Sequence, residues 1–360
     1  MALKRKSISL CCLVAVVAIL LAAFMLPAAP GALAQALNSN PPAAPVRLVF
    51  IHHSVGEAWL TNNYGNLLRG LNTNKYFVSD TKYGWGLPDD GATIGDHTDI
   101  GHWYNWFLGP RRNLYLAQLY PNTHLTSGIG SNSISQPGGD NTVVMFKSCY
   151  PNSGSINSGN PDDPPRVSSS TNPNPIWGQS AGDSGYTVSN IKGLYRDLLA
   201  YFATRQDKLF ILITSPPTTP GDTSAPGSQN RARGIHTWLA YHWLDDYPYD
   251  NVAVFDFYNV LTSNGGSVNT NDLGAVGGNH HRYQAGQVQH VVGLNNNYAA
   301  YASGDSHPTP AGGQKATGEY LPLLNIAYHA WQKDGGRPWY MGRSPRIPGS
   351  QQAAQLLLLD

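Results

Sequence analysis

Charge is scarce in this sequence. Asp, Glu, Lys and Arg make up 12% of its 360 residues. The polar share is carried instead by Asn, Ser and Tyr, with 38 Gly and 26 Pro among them. That balance points away from a compact helical protein and towards long ordered loops on a scaffold. Surfaces rich in aromatic and amide groups also suit contacts with sugars. Cysteine is nearly absent, and two of the three, Cys11 and Cys12, lie in the apolar start of the chain. Cys149 then stands alone, which excludes an internal disulfide in the remainder and leaves stability to the core.

The amino end holds no acidic residue. Lys4, Arg5 and Lys6 precede an unbroken apolar run of 17 residues, Leu10 to Leu26, and then come Ala32-Leu33-Ala34 and Ala34-Gln35-Ala36. A basic start, an apolar middle and a small-residue exit describe a secretory signal peptide over residues 1–36, cleaved after Ala34 or Ala36. The rival is an uncleaved anchor, since the run approaches a spanning length; the paired Ala-x-Ala sites favour cleavage and an extracellular protein. Loss of the three positive charges takes the formal net charge from +1 to −2. No basic stripe remains for nucleic acid, and no polybasic run for a membrane after cleavage.

Residues 37–46, with Pro41, Pro42 and Pro45, read as a linker. Five short apolar runs then read as strands: 47–51, 76–79, 142–146, 209–213 and 252–256. Helical spacing appears over 57–71, 111–120, 187–204, 229–244 and 309–331. Between them, 87–109 reads as irregular, and 153–185 and 262–303 as long loops, a length often functional in a compact domain. Strands alternating with helices imply one α/β domain over 47–335 with a mostly parallel five-stranded sheet. The last residues, 336–360, form a separate tail.

The carboxyl edge of such a sheet gathers Ser54, the turn around Gly86, the Ser148–Asn152 segment, Pro216, Asp256 and the Asp305–His307 loop. Ser54 directly follows the first strand; Ser215-Pro216-Pro217 follows the fourth. A helix with Asn230, Trp238 and Leu239 precedes a strand ending Val254-Phe255-Asp256-Phe257-Tyr258. Asp305-Ser306-His307-Pro308-Thr309-Pro310-Ala311-Gly312 opens the last helix. Over about residues 47–331 this pattern resembles the SGNH (GDSL-like) hydrolase family. The resemblance implies a three-layer α/β/α sandwich of flavodoxin-like type and a secreted serine esterase that needs no cofactor or metal. Its substrate would be an acetyl or short acyl ester, a small molecule or a carbohydrate. Ser54 would be the nucleophile, His307 the base and Asp305 the residue orienting it. Gly86 and Asn152 would join the Ser54 N–H in the oxyanion hole.

Several letters depart from the family. His53-Ser54-Val55 replaces Gly-Asp-Ser. Lys147-Ser148-Cys149-Tyr150-Pro151-Asn152-Ser153 replaces Gly-x-Asn-Asp, so Ser148 or Cys149 could stand where Asn152 is expected. Asp305 lies one residue closer to His307 than usual, which leaves open a dyad in which a carbonyl near Ser303 orients the ring. Gly84 competes with Gly86. Asp256 reads as structural, a strand-end carboxylate holding a loop. His52 and His53, with Asp96, His97, Asp99, His102, His280 and His281, raise a metal reading, but no tight ligand spacing supports it. Two rivals to the esterase remain: a non-catalytic carbohydrate- or surface-binding protein on the same fold, and a metal-dependent phosphoester or sulfate-ester hydrolase.

Overall fold

The computed structural model of the protein describes residues 37–263, 278–293 and 296–332. The expected signal peptide (1–36) and tail (336–360) lie outside the described residues. In chain order the elements are β1 (Val46–Ile51), α1 (Ser54–Leu60), α2 (Leu67–Thr73), β2 (Tyr76–Thr81), α3 (Trp103–Phe107), α4 (Arg112–Leu119), β3 (Val143–Lys147) and α5 (Pro151–Gly154). They continue with α6 (Val188–Ala203), β4 (Leu209–Ile213), α7 (Ser228–Tyr241), β5 (Val252–Phe255), α8 (Phe257–Leu261), β6 (His280–Gln284), β7 (Gln287–Val291) and α9 (Pro310–Trp331). A two-residue ladder, Pro88–Asp89 with Ala92–Thr93, tightens the turn after β2.

Strands β1 to β5 form one all-parallel sheet in the order β2-β1-β3-β4-β5. Their runs are mostly apolar because helices flank the sheet and both side-chain directions meet protein, with buried Ser79, Asp80 and Thr81 at the end of β2 the exception. Val49, Ile51, Val144, Phe146, Phe210 and Leu212 share one apolar cluster with α3, α4, α6 and α7. Leu48, Phe50, Val143, Met145, Leu209 and Ile211 share the other with α1, α2, α8 and α9. The segment expected as a linker is held along the last helix: Asn325 donates to the Ser39 carbonyl (2.9 Å), and the His329 ring lies 3.0 Å from that of Asn40.

Three expectations change. The helix expected over 57–71 is two helices, broken at residues 61–66, where Asn63 and Asn66 take positive φ of 67° and 60°. The apolar spacing runs through the break because both pieces face the same cluster. The stretch 87–109, expected to be irregular, holds two short 3-10 turns and α3. Trp103, Trp106 and Phe107, spaced i, i+3, i+4, are fully buried on one side of that helix. Within 262–303 the described part includes the antiparallel hairpin β6–β7.

Trp59 joins the first helix to the last. It is fully buried, donates from Nε1 to Thr317 Oγ1 (2.9 Å), and its ring meets Phe257, Tyr320 and Phe255 at 4.6, 5.4 and 6.0 Å. Trp59→Ala is therefore expected to lower stability by about 3–5 kcal/mol, with Trp59→Phe intermediate. Urea denaturation followed by circular dichroism measures both; equal midpoints for wild type and Trp59→Ala would remove this packing role.

Candidate active site

β1 ends at Ile51, the extended His53 precedes the first helical turn, and Ser54 is the first residue of α1. The turn is tight. A Cβ on Gly56 would come within 2.3 Å of His52 Cβ, so only glycine lets α1 begin this close to the strand. In the sheet order, β1 and β3 are neighbours, and the chain changes direction across the sheet between them. Ligands of open parallel sheets bind in the crevice at the carboxyl ends of such a pair. Ser54 leaves one strand of the pair and Cys149 the other, and Ser54 Oγ lies 3.7 Å from Cys149 Sγ.

The loop ahead of α9 brings His307 to the same place. Its Nε2 lies 2.8 Å from Ser54 Oγ across 253 residues of chain. Asp305 reaches the other ring nitrogen in spite of the shortened spacing, with Oδ2 and Oδ1 at 2.9 and 3.0 Å from Nδ1. A carboxylate can only accept, so Nδ1 carries the proton and Nε2 is free to accept from the serine. The backbone and ring N–H groups of His307 also hold Asp305 below the ordinary carboxylate range. Asp305 remains half exposed and His307 about a quarter exposed. The Ser303 carbonyl does not orient the ring; instead Ser303 N–H donates to the His307 carbonyl (2.9 Å).

The loop is pinned from below. Ser306 N–H and Oγ both donate to Asp222 Oδ2, and Thr219 N–H donates to Ser306 Oγ (2.8 Å). Thr309 caps α9 by accepting from Gly312 N–H. Tyr150 meets the His307 ring edge-on at 5.3 Å.

Asn152 is in the neighbourhood, but its amide is engaged elsewhere. Nδ2 donates to Asp99 Oδ1 (2.7 Å) and to the Cys149 carbonyl (3.2 Å); Oδ1 accepts from Ile100 N–H and the Tyr186 hydroxyl, both at 2.8 Å. With both N–H groups used, no amide donor is left for an oxyanion. Ser148 is buried and accepts from Trp103 Nε1 (3.0 Å), which leaves Cys149 as the member of that segment facing Ser54. Gly86, at φ 84°, has Gln118 and Ile94 where its side chain would project. The Gly84 N–H is taken by Asp96 Oδ1.

The histidines next to the serine form its underside. His52 is fully buried, with Nε2 3.1 Å from Asp80 Oδ2. Burial would raise the Asp80 carboxyl, but the hydrogen bonds from His52 and Thr126 outweigh it and hold it low. His53 Nε2 donates to the Gly95 carbonyl (3.0 Å), and burial pushes its pKa down to about 4, so the ring is neutral near pH 7. Lys147, the last residue of β3, is fully buried and donates to the Ser148 carbonyl; burial brings it down to about 8.

The remaining histidines turn to separate partners. His97 meets Tyr115 (2.6 Å), His102 the Ser180 hydroxyl (3.5 Å), His280 Glu319 (2.8 Å), and His281 accepts from Asp256 N–H (2.9 Å). Among the described residues, no three His, Cys, Asp or Glu converge to hold a metal ion. Asp256 is buried, accepts from Thr214 Oγ1 and Asn259 N–H, and pairs with His290 on β7 at 2.8 Å, so it anchors the hairpin. No helix among the described residues is long and apolar enough to cross a membrane.

Comparison with protein-family models, with curated proteins and with solved structures found no match to this chain. The site therefore rests on its own geometry. Two of its residues had no signal in the sequence. Asp222 sits in a Pro-Gly-Asp turn of ordinary composition. Tyr83, whose ring stacks on His53 at 3.7 Å, is one of 20 tyrosines.

Asn152→Ala strands the Ile100 N–H and one oxygen of Asp99, and should cost about 2–4 kcal/mol; a thermal midpoint unchanged from wild type would show Asn152 is no brace. Stability should also depend on pH. Burial lowers His53, His102 and His236 to about 4 and His281 to about 3. Unfolded, these four take protons near pH 6.5; folded, they do not. Their contribution is complete above about pH 6.5 and is lost as pH falls towards 4, at up to about 5 kcal/mol per unit near pH 5. Urea midpoints at pH 7.5 and 5.0 test this, and equal values would mean that the rings are charged in the folded state.

Proposed function

We propose that this chain is a serine ester hydrolase acting outside the cell, on a three-layer α/β/α sandwich of the flavodoxin-like, SGNH-hydrolase type. The observation that carries the reading is the relay Ser54–His307–Asp305, with contacts of 2.8 and 2.9 Å, at the carboxyl ends of β1 and β3. The strand order β2-β1-β3-β4-β5 is that of flavodoxin-like folds, whose ligand site is the β1/β3 switch point. The basic and apolar start of the chain supports secretion.

A serine hydroxyl attacks an ester only when its proton is removed during attack. His307 Nε2 takes that proton, the Ser54 Oγ–acyl bond forms, and the alcohol leaves with the proton His307 returns. Water, deprotonated by the same ring, then releases the acid. Asp305 keeps Nδ1 protonated and steadies the imidazolium. Because Asp305 is half exposed, water screens part of that help. The partly exposed Asp305 and His307 leave the serine within reach of an acetyl or short acyl ester of a small alcohol or a sugar.

The test is labelling of the mature protein by an organophosphonate serine probe, beside turnover of p-nitrophenyl acetate. Ser54→Ala should abolish labelling, and Ser54→Ala and His307→Ala should each lower kcat by about 10³-fold or more. Asp305→Asn should lower it by about 10²-fold, short of the roughly 10⁴-fold seen for a buried triad acid. Absence of both labelling and turnover in wild type would assign the fold to a binding protein. Activity that survives Ser54→Ala and is stopped by EDTA would assign it to a metal-dependent hydrolase.

A further inference from the structure

A second pocket, of about 260 Å³, shares no residue with the Ser54–His307–Asp305 relay. It lies between α3 (Tyr104, Leu108), α6 (Asp197) and the loop ahead of α6 (Ser168, Trp177). Its walls are fixed. Gly178 N–H donates to the Gly101 carbonyl (2.9 Å), which seats Trp177 against α3, and the Trp177 ring stacks on Tyr104 with centroids 4.7 Å apart and planes 11° apart. On the other side Arg166 N–H donates to the Ser189 carbonyl (2.9 Å), and the Arg196 guanidinium donates to the Arg166 carbonyl. Both bonds tie the chain just before Ser168 to α6.

The polar side of this pocket lacks partners. Asp197 Oδ2, Trp177 Nε1 and Ser168 Oγ are buried, and none of the three has a hydrogen-bonding partner. Ser168 and Trp177 lie near enough to Asp197 to draw its carboxyl down, yet neither reaches hydrogen-bonding geometry; burial outweighs them and raises it to about 6. Folded proteins pair nearly all such atoms, so three from separate segments meeting at one pocket need a reason. An indole N–H can only donate and a carboxylate can only accept, while a serine hydroxyl does both. A ligand hydroxyl among them would accept from Trp177 and donate to Asp197, and a neighbouring hydroxyl would pair with Ser168. Arg166 and Arg196 lie close to Asp197 and offset its charge, which favours a neutral ligand. Tyr104, Leu108 and the Trp177 ring supply an apolar wall. The volume falls below the roughly 300–1,000 Å³ of pockets for drug-sized ligands, which leaves room for a single ring.

We propose that this pocket binds one neutral sugar ring, its adjacent hydroxyls bridging Trp177 Nε1, Asp197 Oδ2 and Ser168 Oγ and its C–H face resting on the apolar wall. A sugar ring is the ligand class that joins a rim of hydroxyls, each both donor and acceptor, to an apolar face without net charge. The ring can come from a glycan chain or from a free monosaccharide. Neither source depends on the esterase reading, because no lining residue takes part in the relay.

Saturation-transfer NMR tests this with D-glucose, D-galactose, D-xylose and N-acetyl-D-glucosamine, and with the β-1,4-linked hexasaccharides of glucose, xylose and N-acetylglucosamine. At least one probe should bind with a Kd of about 10 mM or tighter. Trp177→Phe keeps a ring on Tyr104 and removes the N–H, and Asp197→Asn keeps the shape and removes the charge. Each should weaken binding by about tenfold. Asp197→Asn should unfold no earlier than wild type, since it removes a buried carboxylate without a full set of partners. Ser54→Ala should bind as wild type does. A hexasaccharide that binds tighter than its monosaccharide makes a glycan chain the source, and equal binding makes it the free sugar. Failure of every probe to bind would mean that the pocket holds water only, and overturns the inference. Binding that both pocket variants leave unchanged, or that Ser54→Ala alone removes, overturns it too, since the sugar would then sit elsewhere. Ester turnover enters none of these outcomes, so the esterase reading stands or falls separately.

Discussion

Leu48–Ile51 is buried on both faces and hydrogen-bonded along both edges, to β2 and β3. A strand so enclosed can present chemistry only where it ends. Its carboxyl end opens into the β1/β3 crevice, and the three residues after it divide the work. His52 and His53 turn inward, and Ser54, partly exposed, starts α1. Gly56 makes this possible, because any larger residue would push α1 off the strand end and carry Ser54 away from His307.

The underside of the site is polar. Burying a charged imidazole is costly, and burial lowers the pKa of His53, His102, His236 and His281. Two buried carboxylates are paired, Asp80 with His52 and Asp256 with His290. The loop carrying His307 follows a different principle. It sits at the surface, where Asp222 clamps Ser306 and leaves Asp305 and His307 facing outward.

Much of the frame was legible in the residues. Apolar runs of three to five residues marked all five strands, since a strand covered on both faces is apolar along most of its length. The long helices α6 and α9 declared themselves by spacing. Less legible were the break between α1 and α2 and the helix at 103–107. Both pieces of the broken helix face one core and so keep one spacing, and α3 is too short to show a period. The hairpin β6–β7 was hidden because its inward residues are polar: His280 and His290 are buried on carboxylates, a pattern that reads as loop.

The candidate site divides along the same line. Sequence alone determined the positions of Ser54 and His307, since a serine after the first strand and an Asp-x-His-Pro block before the last helix are local patterns. Only the tertiary structure decided that Asp305 reaches the His307 ring, because that depends on a loop held by Asp222 from another part of the chain. It also decided that the Asn152 amide is committed to Asp99 and that Tyr83 lies on His53 beside the serine. Those outcomes depend on hydrogen bonds and ring contacts between segments far apart in sequence. Composition and spacing carry no record of which donor is left free.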